Sequence, residues 1–251
     1  MLGEKRRNEI IEIVNEKGSI KVSELSEEFN VTDETIRTDL KKLSNMNFLK
    51  RIHGGAVTLK KFQEISYNNR MKENIIEKRK IAQKAIKYID NGDIIYLDIS
   101  TTVMYLAKEI LRTKDNVTII TNSARMCMEL AQKGNITLIS TGGILRNNSY
   151  SYVGPVAINS IKNYYADKFF ASCKGVSLEY NITDSNSLEC ELKKMMLERS
   201  EKSYLLTDYT KFSDRGLCKF ANLNEVDFII SDNKLKPKIS DLFKKEGYNI
   251  Y

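Results

Sequence analysis

The run Thr32-Asp33-Glu34-Thr35-Ile36-Arg37-Thr38-Asp39-Leu40 restricts this chain more than any other stretch. Ile36, Leu40 and Leu43 recur at i, i+4 and i+7, the spacing of one helix face, and predict a buried stripe. Thr32 is placed to cap that helix, and Asp33 and Glu34 suit the positive end of its dipole. The outer face then carries Thr35, Arg37, Thr38 and Lys41. Upstream, Val22 to Phe29 reads as a short helix with Leu25 and Phe29 on one side, and Asn30-Val31 as a tight turn. Two short helices, the second presenting small polar and cationic side chains, make a helix-turn-helix pattern.

Arg51-Ile52-His53-Gly54-Gly55-Ala56-Val57 follows as a basic hairpin, or wing. Local charge supports duplex contact better than the chain-wide net of +7. Residues 1–34 carry 5 Lys/Arg against 9 Asp/Glu, a net of −4, whereas residues 35–60 carry 6 against 1, a net of +5. A basic reading helix and hairpin on an acidic scaffold suit a face that lies on phosphates. The expected contact set is therefore Thr32, Asp33, Thr35, Arg37, Thr38 and Lys41, joined by Lys50, Arg51 and His53 of the wing.

The 251 residues leave room for a second, larger domain of about 180–190 residues. We place the winged helix-turn-helix at 1–58, a partly helical connector at 59–75 and an α/β sensor domain at 76–251. No run approaches the roughly 20 apolar residues of a membrane span, and the charged N-terminus lacks a signal-peptide core. Cys127, Cys173, Cys190 and Cys218 are scattered without CxxC spacing, so neither a metal site nor a disulfide framework is indicated. These features predict a cytoplasmic chain without cofactor, metal or membrane partner.

From residue 93 onward, short apolar runs alternate with amphipathic segments. The runs begin at Ile94, Val117, Ile136, Lys168, Tyr204 and Val226, with helical stretches at 103–111, 123–132, 188–199 and 236–246. That alternation predicts a mainly parallel α/β sheet, whose ligands bind beyond the carboxyl ends of the strands. Polar groups follow each of the first five runs. After the first come Asp98, Ser100, Thr101 and Thr102, opening a helix where hydroxyls and amides either cap it or seat a phosphate. Thr121 and Asn122 follow the second. Gly142 and Gly143 follow the third, with Arg146 within reach of an anion. Lys174 and Gly175 follow the fourth, and Asp208 and Lys211 the fifth. Each feature is ordinary singly; together at one sheet edge they predict a site for a phosphorylated, hydroxylated ligand.

These residues resemble the DeoR family of bacterial regulators over nearly the whole chain. The family's Thr-Ile-Arg-Arg-Asp-Leu helix and His-Gly-Gly-Ala wing stand here as Thr35 to Leu40, with Thr38 in place of the second arginine, and His53 to Ala56. Its sensor motifs stand as Asp98 to Thr102, Thr121-Asn122, Gly142 to Arg146, Val153-Gly154-Pro155, Ala166-Asp167-Lys168 and Asp208 to Lys211. A Glu-x-Glu-x-Lys match adds Glu189 and Lys193 to the expected effector set. Lys174 stands where the family often has an acid, which favours a more anionic ligand or a different hydroxyl pattern. The resemblance implies a sensor domain similar to ribose-5-phosphate isomerase and CoA-transferase folds. It also implies a repressor of a carbohydrate operon, released from double-stranded operator DNA by a phosphorylated sugar. Reading two half-sites implies a homo-oligomer, dimer or tetramer.

An isomerase-like enzyme with a DNA-binding head is the alternative. Asp98, Glu189, Lys193 and Lys211 offer carboxylate and ammonium groups for such chemistry. The only histidine, His53, lies in the wing, so imidazole catalysis is excluded from the larger domain.

Overall fold

The computed structural model describes residues 3–17, 19–46, 48–52, 54–58, 64–131, 135–212 and 214–251. They fall into two compact units, Met1–Glu64 and Ile65–Tyr251.

The first unit runs α1 (Gly3–Lys17), β1 (Ser19–Lys21), α2 (Val22–Phe29), α3 (Asp33–Asn45), β2 (Leu49–Ile52) and β3 (Gly55–Thr58). Asn30, left-handed at φ 48°, ends α2 and turns the chain toward α3. Ile36, Leu40 and Leu43 of α3 pack with Ile10, Val14, Leu25, Leu49 and Ala56 into one small core, so the predicted stripe is the buried face. The strands form an antiparallel sheet in the order β1-β3-β2. Both wing glycines have a backbone reason. Gly54 sits at φ +79°, and a Cβ on Gly55 would stand 2.2 Å from the carbonyl oxygen of Ile20.

The second unit opens with α4 (Tyr67–Lys72) and α5 (Ile75–Ala85). Then come β4 (Ile94–Leu97), α6 (Thr101–Thr113), β5 (Val117–Thr121), α7 (Ala124–Leu130) and β6 (Ile136–Ser140). A hairpin of β7 (Ile144–Arg146) and β8 (Ser151–Val153) precedes α8 (Pro155–Ile161) and β9 (Ala166–Ala171). The chain continues through β10 (Gly175–Ser177), β11 (Asn181–Asp184), α9 (Ser187–Glu198) and β12 (Ser200–Leu206). It ends with β13 (Cys218–Ala221), β14 (Phe228–Ile230) and α10 (Pro237–Lys245).

The main sheet has six strands in the order β14-β12-β9-β4-β5-β6, and every neighbouring pair is parallel. All six predicted runs supply a strand of it. Both faces are covered, as a parallel sheet requires. Ile95 and Leu97 pack with Ile81 of α5 and Val103 and Leu106 of α6 on one side. Tyr96, between them, packs with Ile161 of α8 and Leu192 and Met196 of α9 on the other. All carboxyl ends therefore reach one edge.

Two features differ from the expectation. The chain joins the second unit earlier than the predicted 59–75 connector allows. Residues 59–63 lie outside the described residues, but Tyr67 of α4 is 2% exposed and part of the main core. The parallel sheet is also supplemented by β7-β8 and by an antiparallel β10-β11-β13 sheet. These strands have three or four residues, too short for a hydrophobic period to announce them.

Candidate functional site

In the first unit, the Thr32 hydroxyl caps α3, accepting from the Thr35 N–H at 3.3 Å and meeting the Thr35 hydroxyl at 2.9 Å. Asp33, Arg37, Thr38 and Lys41 are exposed and Thr35 half-buried, so about two and a half turns of α3 present the predicted face. Arg37 lies 3.7 Å from Asp33 and 3.8 Å from Glu34. Such loose surface pairs contribute little and leave the guanidinium free to exchange them for a phosphate or a base edge. Lys50 and Arg51 are both exposed on β2, but adjacent strand residues point to opposite faces. Arg51 shares the face of buried Leu49, whereas Lys50 shares that of exposed Ile52. His53 lies outside the described residues.

Asp39 is the residue that the sequence reading left without a role. It is 3% exposed and accepts from Arg6 Nε at 2.7 Å and Arg7 Nη1 at 3.2 Å. The pair fastens α1 to the reading helix. Its signal was available, because position 39 is i+3 from Ile36 and falls on the buried stripe, where a carboxylate needs a partner.

In the second unit, the predicted residues gather at the strand ends around two buried charge clusters. Asp98, with no exposed surface, accepts from the Ser100 N–H at 2.8 Å and the Ser172 N–H at 3.0 Å. Lys193 Nζ is 2.8 Å from Asp98, 2.5 Å from Asp184 and 2.7 Å from the Ser172 carbonyl oxygen. Burial disfavours the ammonium, but the carboxylates of Asp184 and Asp98 outweigh it and hold its pKa above the ordinary lysine range. Burial likewise opposes ionisation of Asp184, and Lys193 overcomes it, keeping that carboxyl below its ordinary range. In the second cluster, one Glu189 oxygen accepts from Arg146 and, at 2.6 Å each, from the hydroxyls of Ser149 and Ser151. Asp184, Ser149 and Ser151 were not predicted; each becomes visible only once the chain brings it to its partner.

The helix starts are capped. Ser100 Oγ accepts from the Val103 N–H at 3.1 Å at the start of α6, and Ser123 Oγ from the Met126 N–H at 3.1 Å at the start of α7, while Thr121 Oγ1 accepts from the Ser123 N–H at 3.1 Å in the turn before it. Asn122 donates to the Tyr152 carbonyl oxygen at 3.1 Å. Thr101 and Thr102, 4% exposed in the first turn of α6, have no side-chain hydrogen bond among the described residues. Lys211, half-buried after β12, also has no partner among them. Asp208 accepts from the N–H and hydroxyl of Thr210, the former at 2.9 Å. Gly142 and Gly143 need their glycines, with φ of +61° and +118°. Lys174 and Gly175 stand apart. The Lys174 ammonium pairs with Asp214 at 2.8 Å, and a Cβ on Gly175 would lie 2.1 Å from the Asp214 carbonyl oxygen. Close chain crossing accounts for that glycine.

Residues 6–62 match the model of the DeoR-like helix-turn-helix domain, and residues 73–233 that of the DeoR C-terminal sensor domain. The chain belongs to the DeoR family. It is similar to the HTH-type transcriptional regulator YulB of Bacillus subtilis, 45% identical over 94% of this chain and 92% of that one. It is 37% identical to the HTH-type transcriptional regulator GolR of Listeria innocua, over 96% and 95% of the two chains. The L-fucose operon activator of Escherichia coli is 34% identical over 91% and 95%. A solved D-ribose-5-phosphate isomerase is similar at 15% identity and a TM-score of 0.42, over 55% of this chain and 53% of that one. As a DeoR-family member with this reading helix, the chain is a DNA-binding transcriptional regulator. No helix among the described residues is long and apolar enough to cross a membrane.

Proposed function

We propose that this regulator represses a carbohydrate-metabolism operon and leaves its double-stranded operator when a phosphorylated sugar binds the second unit. The unpaired groups at the carboxyl edge of the sheet carry the reading. The hydroxyls of Thr101 and Thr102 stand at the N-terminus of a 13-residue helix, and the ammonium of Lys211, without a partner among the described residues, lies at the same edge. Helix amides, hydroxyls and one free cation are a phosphate-binding set. Sugars recur among the relatives: the lactose phosphotransferase system repressor of Streptococcus mutans is 34% identical over 97% of this chain and 98% of that one. The regulator works in the cytoplasm as a homo-oligomer, since two heads read two half-sites.

The same geometry argues against catalysis. Asp98 and Lys193 neutralise each other in the interior, and one oxygen of Glu189 is occupied by three donors. A general base needs a free lone pair within reach of substrate. The two buried clusters instead hold the rim rigid.

The test is operator release titrated with fructose 6-phosphate, ribose 5-phosphate and other sugar phosphates, for wild type and Lys211→Ala together, with each sugar checked for turnover. Lys211→Ala should bind operator normally and raise the release midpoint about tenfold or more, the loss of one charge-assisted contact. Equal midpoints would place the phosphate elsewhere. Isomerisation of any sugar would overturn the non-catalytic reading.

A further inference from the structure

Among the described residues, two buried side-chain polar atoms lack a hydrogen-bond partner: the hydroxyls of Tyr67 and Ser231. Buried hydroxyls are nearly always satisfied, because water is lost without compensation otherwise. Tyr67 is well anchored apart from that oxygen. Its N–H donates to the Asn148 carbonyl oxygen at 2.9 Å, and its ring meets that of Tyr150 edge-on at 5.8 Å. It packs with Val103 and Met104 of α6 and Met126 of α7, the two helices whose N-termini lie at the strand ends. Burial above all, then the charge of Glu129, pushes its ionisation far above the usual tyrosine range, so it stands as a neutral O–H donor. Arg70 and Asp98 are also close enough to act on it.

Arg70, half-buried one turn further along α4, lies beside Tyr67. The Arg70 guanidinium lies 5.9 Å from the Tyr67 ring centroid, and its charge reaches Asp184, the partner of Lys193. Its Nε donates to the Ile65 carbonyl oxygen at 3.1 Å, leaving other guanidinium N–H groups for a further acceptor. The end of α4 is fixed to α5 by Lys78, 4% exposed, whose ammonium donates to the carbonyl oxygens of Arg70 and, at 2.7 Å, Glu73. The helix is therefore clamped at both ends over a donor that nothing among the described residues satisfies.

We propose that α4 is part of the ligand site: the Tyr67 hydroxyl donates to an oxygen of the bound phosphorylated ligand, and Arg70 pairs with its anionic group. The inference rests on the sugar-phosphate reading above. It also gives ligand linkage a physical route. The first unit ends at Glu64, so the helix that reads the ligand begins three residues after it in the chain. A ligand can bias DNA binding only through contacts that differ between the two states.

The experiment compares thermal melting and operator release of wild type, Tyr67→Phe and Arg70→Gln, with fructose 6-phosphate, ribose 5-phosphate and inorganic phosphate as probes. Without ligand, Tyr67→Phe removes only the orphan oxygen and should melt about 2–4 °C higher than wild type. With the probe that stabilises wild type, Tyr67→Phe and Arg70→Gln should each need about tenfold more for the same shift and the same release. A lower melting point for ligand-free Tyr67→Phe would show that the hydroxyl already has a partner and would overturn the inference. So would unaltered probe midpoints in both variants beside a responsive wild type. A wild type that no probe stabilises would overturn the sugar-phosphate reading itself, and this inference with it.

Discussion

The two units handle polar side chains in opposite ways. In the first, Arg37, Thr38 and Lys41 lie within two turns of one helix, exposed, with their strongest visible pairings at 3.7 and 3.8 Å. In the second, Asp98 after β4 meets Asp184 and Lys193, nine residues apart on β11 and α9, in the interior at 2.5 and 2.8 Å. Exposed groups keep their hydration and give it up only to a partner, so changing one alters binding and leaves the fold alone. Buried groups have already exchanged water for each other, so no change there is purely functional. Replaceable contacts suit a surface that meets a long polyanion; the proposed effector site would be held in a fixed shape.

Lys193→Met tests the buried extreme and should have the largest effect. It strands the Asp98 carboxylate, which has no exposed surface, together with that of Asp184. Removing one partner of a buried pair should cost about 3–5 kcal/mol, to be read by urea unfolding at pH 7. The pH dependence follows from the two shifts. Asp184 is depressed, so its contribution is present above the ordinary aspartate pKa and lost as acid protonates it. Lys193 is raised, so its contribution is present below the ordinary lysine pKa and lost only above it. The gap between wild type and variant should therefore be widest between roughly pH 5 and 10 and shrink below about pH 4. A gap that persists undiminished into acid would mean that lost packing, not stranded charge, destabilises the variant.

Asp39 is the exception within the head and should behave like a sensor residue on a smaller scale. Arg6 and Arg7 keep side-chain exposures of 12% and 25%, so they can turn to water when the carboxylate goes. Asp39→Ala should cost about 1–3 kcal/mol in unfolding of the first unit. It should also weaken operator binding, although Asp39 points away from the reading face, because α1 no longer fastens α3. Operator affinity unchanged in a destabilised variant would separate the two roles and show that α3 holds its position without α1.

The same division sets what could be read from the sequence. The stripe of Ile36, Leu40 and Leu43 and the six apolar runs of the sheet were legible because burial imposes a period or a continuous run. The loops after those strands were legible because a parallel sheet sends every carboxyl end to one edge. Strand order and side-chain pairing were not. Asp184 ends Asn181-Ile182-Thr183-Asp184, a polar four-residue strand with no period to mark it, and only the fold carries it and Lys193, nine residues on, to Asp98. Lys174 reads as a rim cation until Asp214 is seen 2.8 Å away. Tyr67, in the segment expected to be a connector, is recognisable only once its hydroxyl is seen buried. Pairing across long sequence separation carries no local pattern.

The exposed extreme should show the smallest effect on the fold and a selective one on DNA. Arg37→Ala should change unfolding free energy by about 0.5 kcal/mol or less, since its two surface pairs are loose. If Arg37 reads a base edge, operator binding should fall by about 1–3 kcal/mol and tolerate substitution at one operator position. Arg51→Ala and Lys50→Ala then divide the wing. A phosphate contact from either should weaken binding to all sequences alike and flatten the salt dependence by about one unit. Because the pleat of β2 turns these neighbours to opposite faces, a wing lying flat on the duplex should lose slope in only one variant. Equal losses in both would mean that the hairpin enters a groove edge-on, with phosphates on either side. Unchanged affinity in all three variants, with folding intact, would remove α3 and the wing from the interface.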